Sequence, residues 1–448
     1  MINPLLKYTE GKSIGFFGIG KSNLAILGEV LTVAKNITLR SDAPIDRARL
    51  PKELVAPRVL EKDMAAEGIT EKIIFFSPSV RRDRYQLLSA LGRGVEFTSD
   101  IEFFLKHNKR PFFTVTGTDG KTTVTTLGAK ILDKPDSPAR AVGNIGEVAT
   151  VHLGDDTERF VIEMSSFMLE YAMPMSERAV ITSLSEDHLA WHRGYDGYKS
   201  AKQRATLGAK ESVISMDSPD LAEMYRGERI FAVTSVDMTP KEMKRQISAD
   251  HYFGIEGGYI TENGRRLIAV KDLKKREAYN IKSYLSALAL TFGYADEDKA
   301  LTVISRFSGI EHRGEFFLDK RGIKFINSSI DTSPTRTAQT IAATDGNIIL
   351  LLGGRSKGLN YEPLKKAIKG AKIKAIISFG ESAEQIRDRI ACSKVISTEK
   401  LGDATDLAMT LAKAGDTVLL SPSATSYDEF SSFEERGTFF KNRVLSTF

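Results

Sequence analysis

The most constraining feature of the sequence is the segment FFTVTGTDGKTTVTTLGAKIL at residues 112–132. Its apolar start predicts a buried strand, Gly117 and Gly120 predict a tight turn, and the residues after Lys121 predict a helix. Further strands alternate with helical stretches along the rest of the chain. This alternation predicts an α/β fold with parallel sheets and crossover helices.

The same segment has the composition of a phosphate-binding loop. Glycines let the backbone approach phosphates, Lys121 would neutralise them, and the Thr122 hydroxyl would bind Mg²⁺. The common pattern G-x-x-x-x-G-K-[ST] requires a glycine where Val115 stands, so a purely structural strand–helix turn is the alternative. The predicted ATP-binding residues of the loop are Gly117, Thr118, Asp119, Gly120, Lys121, Thr122 and Thr123.

A chain of 448 residues exceeds one ordinary hydrophobic core and predicts two or three domains. Glycine-punctuated strand–helix patterns begin three times, near the N-terminus, near residue 99 and near residue 309. We predict an α/β fold of three domains in series. They are an N-terminal Rossmann-like parallel sheet over 1–98, a central P-loop ATPase-like domain over 99–308 and a C-terminal Rossmann-like domain over 309–448.

Composition excludes several classes of protein. The single cysteine, Cys392, leaves no internal disulfide and no multi-cysteine metal site. The net charge of +5 is small for this length, so nucleic acid is not an expected partner. The first 20 residues lack a secretory pattern, and no run of about 18 apolar residues occurs. The expectation is a cytoplasmic protein without membrane insertion.

The first glycine turn, Gly18-Ile19-Gly20, leaves two interpretations open. It is either a plain strand–helix turn or an anion site at a helix N-terminus. Asn23 replaces the third glycine of a dinucleotide fingerprint, and Arg40 stands near the place of an acidic ribose partner. A nicotinamide-dependent oxidoreductase is therefore an alternative with weak support, and a non-catalytic nucleotide-binding protein is another. The residues predicted to bind substrate here are Gly20, Lys21 and Ser22.

Acidic residues and a histidine follow the next strands. Glu163 and His188 stand after two neighbouring strands, whose carboxyl ends share one crevice, so both are predicted to reach one metal ion. A glutamate at a strand end is otherwise a solvated rim residue. His188 and His192 are four residues apart, but HLAWH lacks the glutamate of H-E-x-x-H, so a zinc protease is not predicted. Trp191 is predicted to pack under this helix.

Several strings along the chain form one ordered set. They are TGTDGKTT at 116, GNIG at 143, EMSSFMLE at 163, SEDHLAWH at 185, YKSAKQR at 198, HRGE at 312, LLLGGRSKGLNY at 350 and LLSPSATSYDEFSSFEERG at 419. Together they resemble the Mur ligase family, the ATP-dependent amide-bond-forming enzymes of peptidoglycan precursor synthesis. The D-N-P-R string of the diaminopimelate- or lysine-adding members is absent, which favours the D-glutamate-adding members.

This resemblance implies an activity, its cofactors and its partners. ATP would convert the carboxylate of UDP-N-acetylmuramoyl-L-alanine to an acyl phosphate, which the amine of D-glutamate then attacks. Such transfer depends on positioning and charge neutralisation rather than on a protein nucleophile. The implied cofactors are ATP, two Mg²⁺ ions and a carbamylated lysine, Lys202, and the implied state is a monomer. A related ligase with a different amino acid or carboxylate substrate is the alternative.

The resemblance also assigns roles to residues by motif. The implied catalytic residues are Lys121, Glu163, His188 and Lys202. The implied metal-site residues are Thr122, Glu163, His188 and Lys202, where a carbamate would supply oxygen to Mg²⁺. Nucleotide contacts beyond the loop are implied for Asn280, Arg313 and Asp331. Contacts to the muramoyl substrate are implied for Asn144 and Ser165, and contacts to D-glutamate are implied for Thr332, Lys357, Ser426, Tyr427 and Phe433.

Some positions depart from the family pattern. Ser328 stands where the family has an aspartate, and Ile330 stands where it has a lysine. Ser283 replaces an asparagine, Met168 replaces a glutamine and Ser79 replaces a glycine. We interpret them as lineage variants of an active enzyme, since the phosphate loop and the other motif residues remain. A relative with an altered substrate is the alternative.

Overall fold

The structure is a computed structural model of the chain. It describes residues 3–41, 59–63, 69–83, 94–356, 359–390 and 395–447. The chain divides into two compact units, Met1–Phe307 and Ser308–Phe448. The first unit holds two sheets and the second holds one, all with parallel strands at their centre, which confirms the predicted α/β fold. The domain limits at residues 98 and 308 stay predictions.

Five parallel strands form the first sheet. They are β1 (Ser13–Phe17), β2 (Asn36–Ser41), β3 (Val59–Asp63), β4 (Ile73–Phe76) and β5 (Glu96–Thr98). The described helices in this part of the chain are α1 (Pro4–Thr9), α2 (Lys21–Val30) and α3 (Asp100–His107). The spatial order is β3-β2-β1-β4-β5. Successive strands are added to one side of β1 up to β3 and to its other side from β4 onward, and this switch of side opens a crevice at the carboxyl ends of β1 and β4.

Nine strands form the central sheet. They are β6 (Phe112–Thr116), β7 (Ala139–Gly143), β8 (Arg159–Glu163), β9 (Arg178–Ile181), β10 (Glu211–Ser215), β11 (Arg229–Thr234), β12 (Ser248–Glu256), β13 (Tyr259–Glu262) and β14 (Arg265–Ala269). The order is β14-β13-β12-β11-β10-β9-β6-β8-β7, with only the β12–β14 edge antiparallel among these strands. The strand β6 therefore lies between β9 and β8, and the loops after these three strands meet.

Helices join the central strands. They are α4 (Lys121–Leu132), α5 (Ser166–Tyr171), α6 (Leu189–His192), α7 (Tyr195–Leu207), α8 (Pro219–Met224), α9 (Pro240–Lys244), α10 (Ala278–Thr291) and α11 (Glu297–Arg306). Short 3-10 turns cover Ala149–Gly154 and Val270–Asp272. The helix α4 follows β6 directly after the glycine turn, as predicted.

Six strands form the third sheet. They are β15 (Glu315–Lys320), β16 (Ile323–Asn327), β17 (Asn347–Gly353), β18 (Ile373–Phe379), β19 (Val395–Ser397) and β20 (Asp416–Ser423). The helices are α12 (Pro334–Ala342), α13 (Glu362–Gly370), α14 (Ala383–Ile390), α15 (Leu401–Leu411) and α16 (Phe433–Leu445). The order is β15-β16-β20-β17-β18-β19, and only β15 is antiparallel to its neighbour among these strands.

The central strands are buried along their length, because helices cover both faces of a parallel sheet. Every residue of β4 is buried, as is every residue of β20. The strand β4 is correspondingly all Ile and Phe, and β20 has Val and Leu at its centre. Within the described residues, no helix is both long enough and apolar enough to cross a bilayer.

The helix α3 belongs to the cores of two sheets at once. Its Phe103 packs on Phe75 of β4 at a ring distance of 6.1 Å. The next residue, Phe104, meets Phe160 of β8 edge-to-face at 5.0 Å. At the start of the helix, the buried Asp100 carboxylate accepts hydrogen bonds from the backbone of the Ala149–Gly154 turn. The first and central sheets therefore share one continuous apolar core.

Candidate functional site

The turn after β6 requires glycine at two positions. Gly117 has a φ of +146°, and a Cβ on it would lie 2.1 Å from Thr182 Oγ1. Gly120 has a φ of +79° and precedes α4 without any side-chain cap. The first N–H groups of α4 are therefore not capped by a side chain, and a helix N-terminus of this kind favours anions. This geometry fits a phosphate-binding loop better than a plain structural turn.

Two lysines converge on one carbonyl of this loop. Lys121 Nζ donates to Gly117 O at 2.9 Å and to Thr118 O at 2.7 Å. Lys202 Nζ reaches the same Gly117 O at 2.7 Å, from the helix α7. Only 2% of the Lys202 surface is exposed. Burial is the main reason why the pKa of Lys202 lies well below its usual value, and the charge of Lys121 lowers it further.

An oxygen-rich pair lies beside the loop. The Thr122 hydroxyl donates to Glu163 Oε2 at 2.9 Å, and Asn144 Nδ2 donates to Glu163 Oε1 at 2.9 Å. Two neighbouring ligands of an octahedral Mg²⁺ ion, each about 2.05 Å from the metal, lie about 2.9 Å apart. The spacing of the Thr122 and Glu163 oxygens therefore fits a shared magnesium ion. Asn144 holds the carboxylate in place from the other side.

A tyrosine on α7 belongs to the same site, and the sequence analysis missed it. Tyr198 OH lies 3.0 Å from Thr118 Oγ1, and Thr118 Oγ1 also donates to Ser185 O. Burial raises the pKa of Tyr198 to about 12, so the phenol stays neutral. The available signal was the four-residue spacing of Tyr198 and Lys202, which puts both on one face of α7.

His188 is exposed and lies beside Asp187 and Phe167. Its side chain is 48% exposed, its Nε2 lies 3.3 Å from Asp187 Oδ2, and its ring lies 4.7 Å from the Phe167 ring. Over the described ranges, no group of three His, Cys, Asp or Glu side chains with ligand atoms within 4.8 Å of one another contains Glu163 or His188. The structure therefore brings Thr122, Glu163 and Lys202 to the loop. A metal ion shared by Glu163 and His188 stays a prediction.

The glycine turn of the first sheet is held by an asparagine. Asn23 Nδ2 donates to Phe17 O, to Gly18 O and to Phe75 O, at 2.8–3.2 Å. Asn23 thus joins β1 to β4 at the crevice, which explains why it replaces a third glycine. Arg40 is fully buried in an ion pair with Glu71, so it cannot contact a ribose. Of the predicted substrate residues here, Lys21 is exposed, Ser22 is buried and Gly20 donates its N–H to Ser77 Oγ.

The second unit has a buried arginine at its centre, which the sequence analysis also missed. Arg436 is fully buried and donates to Ser329 Oγ, Ser329 O and Ala424 O. Burial lowers its pKa to about 10, which still leaves it charged at neutral pH. Gly354 lies against it, since a Cβ there would be 3.0 Å from Arg436 Nη1. Arg436 therefore fixes the ends of β16, β17 and β20.

The predicted amino-acid pocket residues lie near these strand ends. Ser426 is buried, and its carbonyl accepts from Phe430 N at 2.8 Å. Phe433 begins α16, and its carbonyl accepts from Ser329 Oγ. Thr332 is partly buried, and Tyr427 is 40% exposed. The remaining predicted contact of this set, Lys357, lies outside the described residues.

The further predicted nucleotide residues have internal partners. Asn280 is buried and donates to Glu277 Oε2 at 2.8 Å. The carboxylate of Asp331 is buried and accepts from Thr340 Oγ1 at 2.6 Å and from Ser421 Oγ at 2.8 Å. Arg313 is half-buried at the start of the second unit. The nucleotide roles of these residues stay predictions.

The departures from the family pattern have local structural roles. Ser328 Oγ accepts from Gly314 N at 3.0 Å, and Ser283 Oγ donates to Tyr279 O. Met168 is buried in the shared core, beside Ser165, whose hydroxyl caps α5 by accepting from Met168 N. Ser79 presents its carbonyl to the Trp191 indole.

One acidic cluster in the second unit is already neutralised. Glu311, His312 and Glu315 have potential ligand atoms within 4.8 Å of one another. Lys441 Nζ lies 2.7 Å from Glu311 and 2.6 Å from Glu315, and Asn327 Nδ2 lies 2.9 Å from His312 Nδ1. A lysine therefore occupies the position that a metal ion would need.

Comparison with known proteins places the chain in a family. Residues 115–288 match the Mur ligase middle domain, and residues 312–424 match the Mur ligase glutamate ligase domain. A UDP-N-acetylmuramoylalanine–D-glutamate ligase of Acetivibrio thermocellus is 30% identical over 466 residues, with 99% of this chain and 98% of the relative covered. The chain belongs to the Mur ligase family.

Other Mur ligases support this assignment. A UDP-N-acetylmuramoylalanine–D-glutamate ligase of Ruminiclostridium cellulolyticum is 29% identical over 471 residues, with 98% of this chain and 97% of the relative covered. The solved structure of UDP-N-acetylmuramate-alanine ligase MurC from Thermotoga maritima covers 98% of this chain and 100% of its own, with a TM-score of 0.58 and 18% identity. MurF from Acinetobacter baumannii gives a TM-score of 0.53 at 14% identity, with 98% and 92% covered. The structural likenesses confirm the Mur ligase fold.

Proposed function

We propose that this Mur ligase joins D-glutamate to UDP-N-acetylmuramoyl-L-alanine in an ATP-dependent reaction. The observation that carries the proposal is the convergence of Lys121 and Lys202 on Gly117 O, next to the Thr122–Glu163 pair. Positive charge, helix N–H groups and hard oxygen ligands are what phosphoryl transfer to a carboxylate needs. The names of the relatives that match over the full length supply the substrates.

The residues of the loop have defined tasks in this proposal. The N–H groups at the start of α4 and the Lys121 ammonium bind and orient the phosphates of ATP. Thr122 and Glu163 would hold Mg²⁺, which would supply positive charge to the phosphates. Burial beside Lys121 lowers the pKa of Lys202, which favours the neutral amine; that amine would add to carbon dioxide and release one proton. The resulting carbamate would face the loop and bind a second Mg²⁺, with His188 as a further candidate ligand.

The two substrates would occupy different parts of the chain. The crevice at β1 and β4, with Gly20, Lys21 and Ser22, would hold the uridine end, and Asn144 and Ser165 would contact the muramoyl part. D-Glutamate would bind in the second unit near Thr332, Ser426 and Phe433. A neutral amine on D-glutamate attacks the acyl phosphate carbon, the C–N bond forms, and inorganic phosphate leaves. We further propose a monomer that acts in the cytoplasm, where ATP and UDP-linked sugars are made.

An amino-acid panel in a phosphate-release assay tests the substrate assignment. Phosphate release from ATP should require UDP-N-acetylmuramoyl-L-alanine and should be greatest with D-glutamate. Four other amino acids serve as comparisons. L-Glutamate differs from D-glutamate in stereochemistry, D-aspartate differs in length, and L-lysine and diaminopimelate differ in charge. Faster release with one of these would instead support the related ligase with another amino acid. Release without any amino acid would contradict amide-bond formation.

Carbamylation of Lys202 has a direct spectroscopic test. Protein equilibrated with ¹³C-bicarbonate should show one carbamate carbon resonance, and that resonance should be absent in Lys202→Ala. Lys130→Ala, which removes an exposed lysine of α4, is the matched control and should keep the resonance. An unchanged spectrum in Lys202→Ala would contradict the assignment. ATP binding by Lys202→Ala, measured by calorimetry, separates loss of the metal site from loss of the fold.

A further inference from the structure

A short segment connects the two sheets of the first unit. Residues 77–83 follow β4, and we refer to them as the crossing segment. Its first residue holds the glycine turn of the first sheet, because Ser77 Oγ donates to Gly18 O at 2.9 Å and accepts from Gly20 N at 3.2 Å. Movement of that turn on binding of a ligand would therefore act directly on the crossing segment.

The other part of the crossing segment is bound to the central sheet's loops. Trp191 Nε1 donates to Ser79 O at 2.9 Å. The Arg81 guanidinium lies 5.0 Å from the centre of the Trp191 ring and donates to Trp191 O. The backbone N–H of Arg82 donates to Tyr171 OH at 3.1 Å. The indole of Trp191 and the ion pair between Arg193 and Asp83 thus hold the segment to the loop after β9.

Trp191 in turn contacts Phe167, and Phe167 contacts His188. Its ring packs edge-to-face on Phe167 at 4.8 Å, and Phe167 lies 4.7 Å from the His188 ring. The helix that carries Trp191 has four residues only, and left-handed residues, His188 (φ +52°) and Arg193 (φ +61°), flank it. A helix this short has little stability of its own, so external contacts set its position.

We propose that Trp191 is a positioning residue that couples the substrate crevice of the first sheet to His188. The proposal rests on the proposed function, which makes His188 a candidate ligand of the second Mg²⁺. When the UDP-linked substrate orders the turn at Gly18–Gly20, the crossing segment fixes Trp191. The Trp191–Phe167 contact then holds the His188 ring in one position. A metal site that includes His188 would therefore be completed only when the UDP-linked substrate is bound.

The first test removes the indole donor and keeps an aromatic ring. Trp191→Phe should lower kcat about threefold to tenfold, the range expected for one lost hydrogen bond, and should raise the Mg²⁺ concentration for half-maximal rate. The KM for D-glutamate should not change, since that pocket lies in the second unit. The matched control is Tyr252→Phe, which also removes an aromatic donor to a backbone carbonyl, Ile247 O, at the far side of the central sheet. It should leave kcat and the Mg²⁺ dependence as in the wild type.

The second test needs no turnover. Trp191 is the only tryptophan of the chain, so its fluorescence reports on this contact alone. Adding UDP-N-acetylmuramoyl-L-alanine without ATP or Mg²⁺ should shift the emission, and Ser77→Ala should reduce the shift at saturating substrate.

Two outcomes would overturn the proposal. One is a Trp191→Phe enzyme with the same kcat and Mg²⁺ dependence as Tyr252→Phe, and the other is unchanged emission at saturating substrate. Failure of the proposed function looks different, because the wild type itself would then release no phosphate with D-glutamate. A purely structural role of Trp191 would lower the melting temperature and leave the Mg²⁺ midpoint unchanged.

Discussion

At the scale of single residues, the site depends on how closely groups approach Gly117. A Cβ added to Gly117 would collide with Thr182. The carbonyl of Gly117 accepts hydrogen bonds from two lysines, Lys121 and Lys202. Two ammonium groups at one carbonyl would repel each other, so the structure favours a neutral Lys202. Both properties lead to measurable predictions.

Adding one methyl group to Gly117 should disable the loop. Gly117→Ala puts a Cβ 2.1 Å from Thr182 Oγ1 and 3.0 Å from Ser183 N, so the turn has to move. A displacement of about 1 Å lowers turnover about 100-fold in a site that works by positioning. Phosphate release measures the effect. Gly28→Ala in α2, where a Cβ meets nothing within 4 Å, should retain full activity. Equal rates for the two variants would refute the steric argument.

The buried Lys202 should make stability depend on pH in a known direction. Its folded pKa is lowered, so between that value and the unfolded pKa of about 10.4 the unfolded chain binds more protons. The free energy of unfolding of the wild type should therefore rise with pH across this window, relative to Lys202→Met. Melting temperatures from pH 7 to 10 in carbonate-free buffer measure the difference. The melting temperature of Lys130→Met, at an exposed position of α4, should change with pH as that of the wild type does. The same pH dependence in Lys202→Met would disprove the lowered pKa of Lys202.

At the scale of elements, the helix α3 packs against both sheets of the first unit. It contributes Phe103 to the first sheet and Phe104 to the central sheet, and Asp100 caps the 3-10 turn. The sequence shows only an amphipathic helix next to a predicted domain limit. That the same helix serves two cores depends on contacts with residues between 28 and 56 positions away, which no local pattern encodes.

Shortening Phe104 should destabilise both sheets together. Phe104→Ala leaves a cavity in the shared core and should lower the free energy of unfolding by about 3–5 kcal/mol. Urea titration followed by Trp191 fluorescence reports on this unit, and circular dichroism reports on the chain as a whole. Leu207→Ala, at a side chain that is 64% exposed, should cost less than about 1 kcal/mol. Loss of the first sheet alone, with the central sheet unaffected, would contradict a shared core.

At the scale of the whole molecule, the chain consists of two compact units. The apolar clusters of the third sheet draw only on residues after Ser308. Arg436 adds a buried polar centre whose acceptors all lie in the same unit. A unit with its own core is expected to fold alone.

A fragment of residues 308–448 should therefore fold without the rest of the chain. We expect cooperative thermal unfolding by circular dichroism and dispersed amide resonances by NMR. Arg436→Leu in this fragment should lower the melting temperature strongly, since Ser329 and Ala424 would lose their donor. Arg443→Ala, which breaks an exposed pair with Asp406, should change it little. A fragment without cooperative unfolding would contradict an independent unit.

The sequence predicted the parts of the site that lie on one local pattern. The strand–turn–helix from Phe112 to Leu132 was predicted from its glycines and apolar run, and the structure has it. The role of Lys202 came only from the family resemblance, because a lysine on a helix is ordinarily solvated. Tyr198 and Arg436 were missed, since burial of a polar side chain depends on tertiary contacts. Trp191 was predicted to pack under its own helix; its ring packs on Phe167, and its indole N–H also donates to Ser79 O in the loop after β4, a long-range partner that the sequence does not indicate.

The shared helix α3 has a consequence for synthesis on the ribosome. The last strand of the first sheet ends at Thr98, but Phe160, which covers α3 from the other side, is made about 60 residues later. At about 5–20 residues per second, the gap lasts about 3–12 s. During that time the nascent chain carries a finished sheet with an unfinished apolar layer. Chaperones that bind exposed apolar surface should therefore meet this protein at that stage of translation.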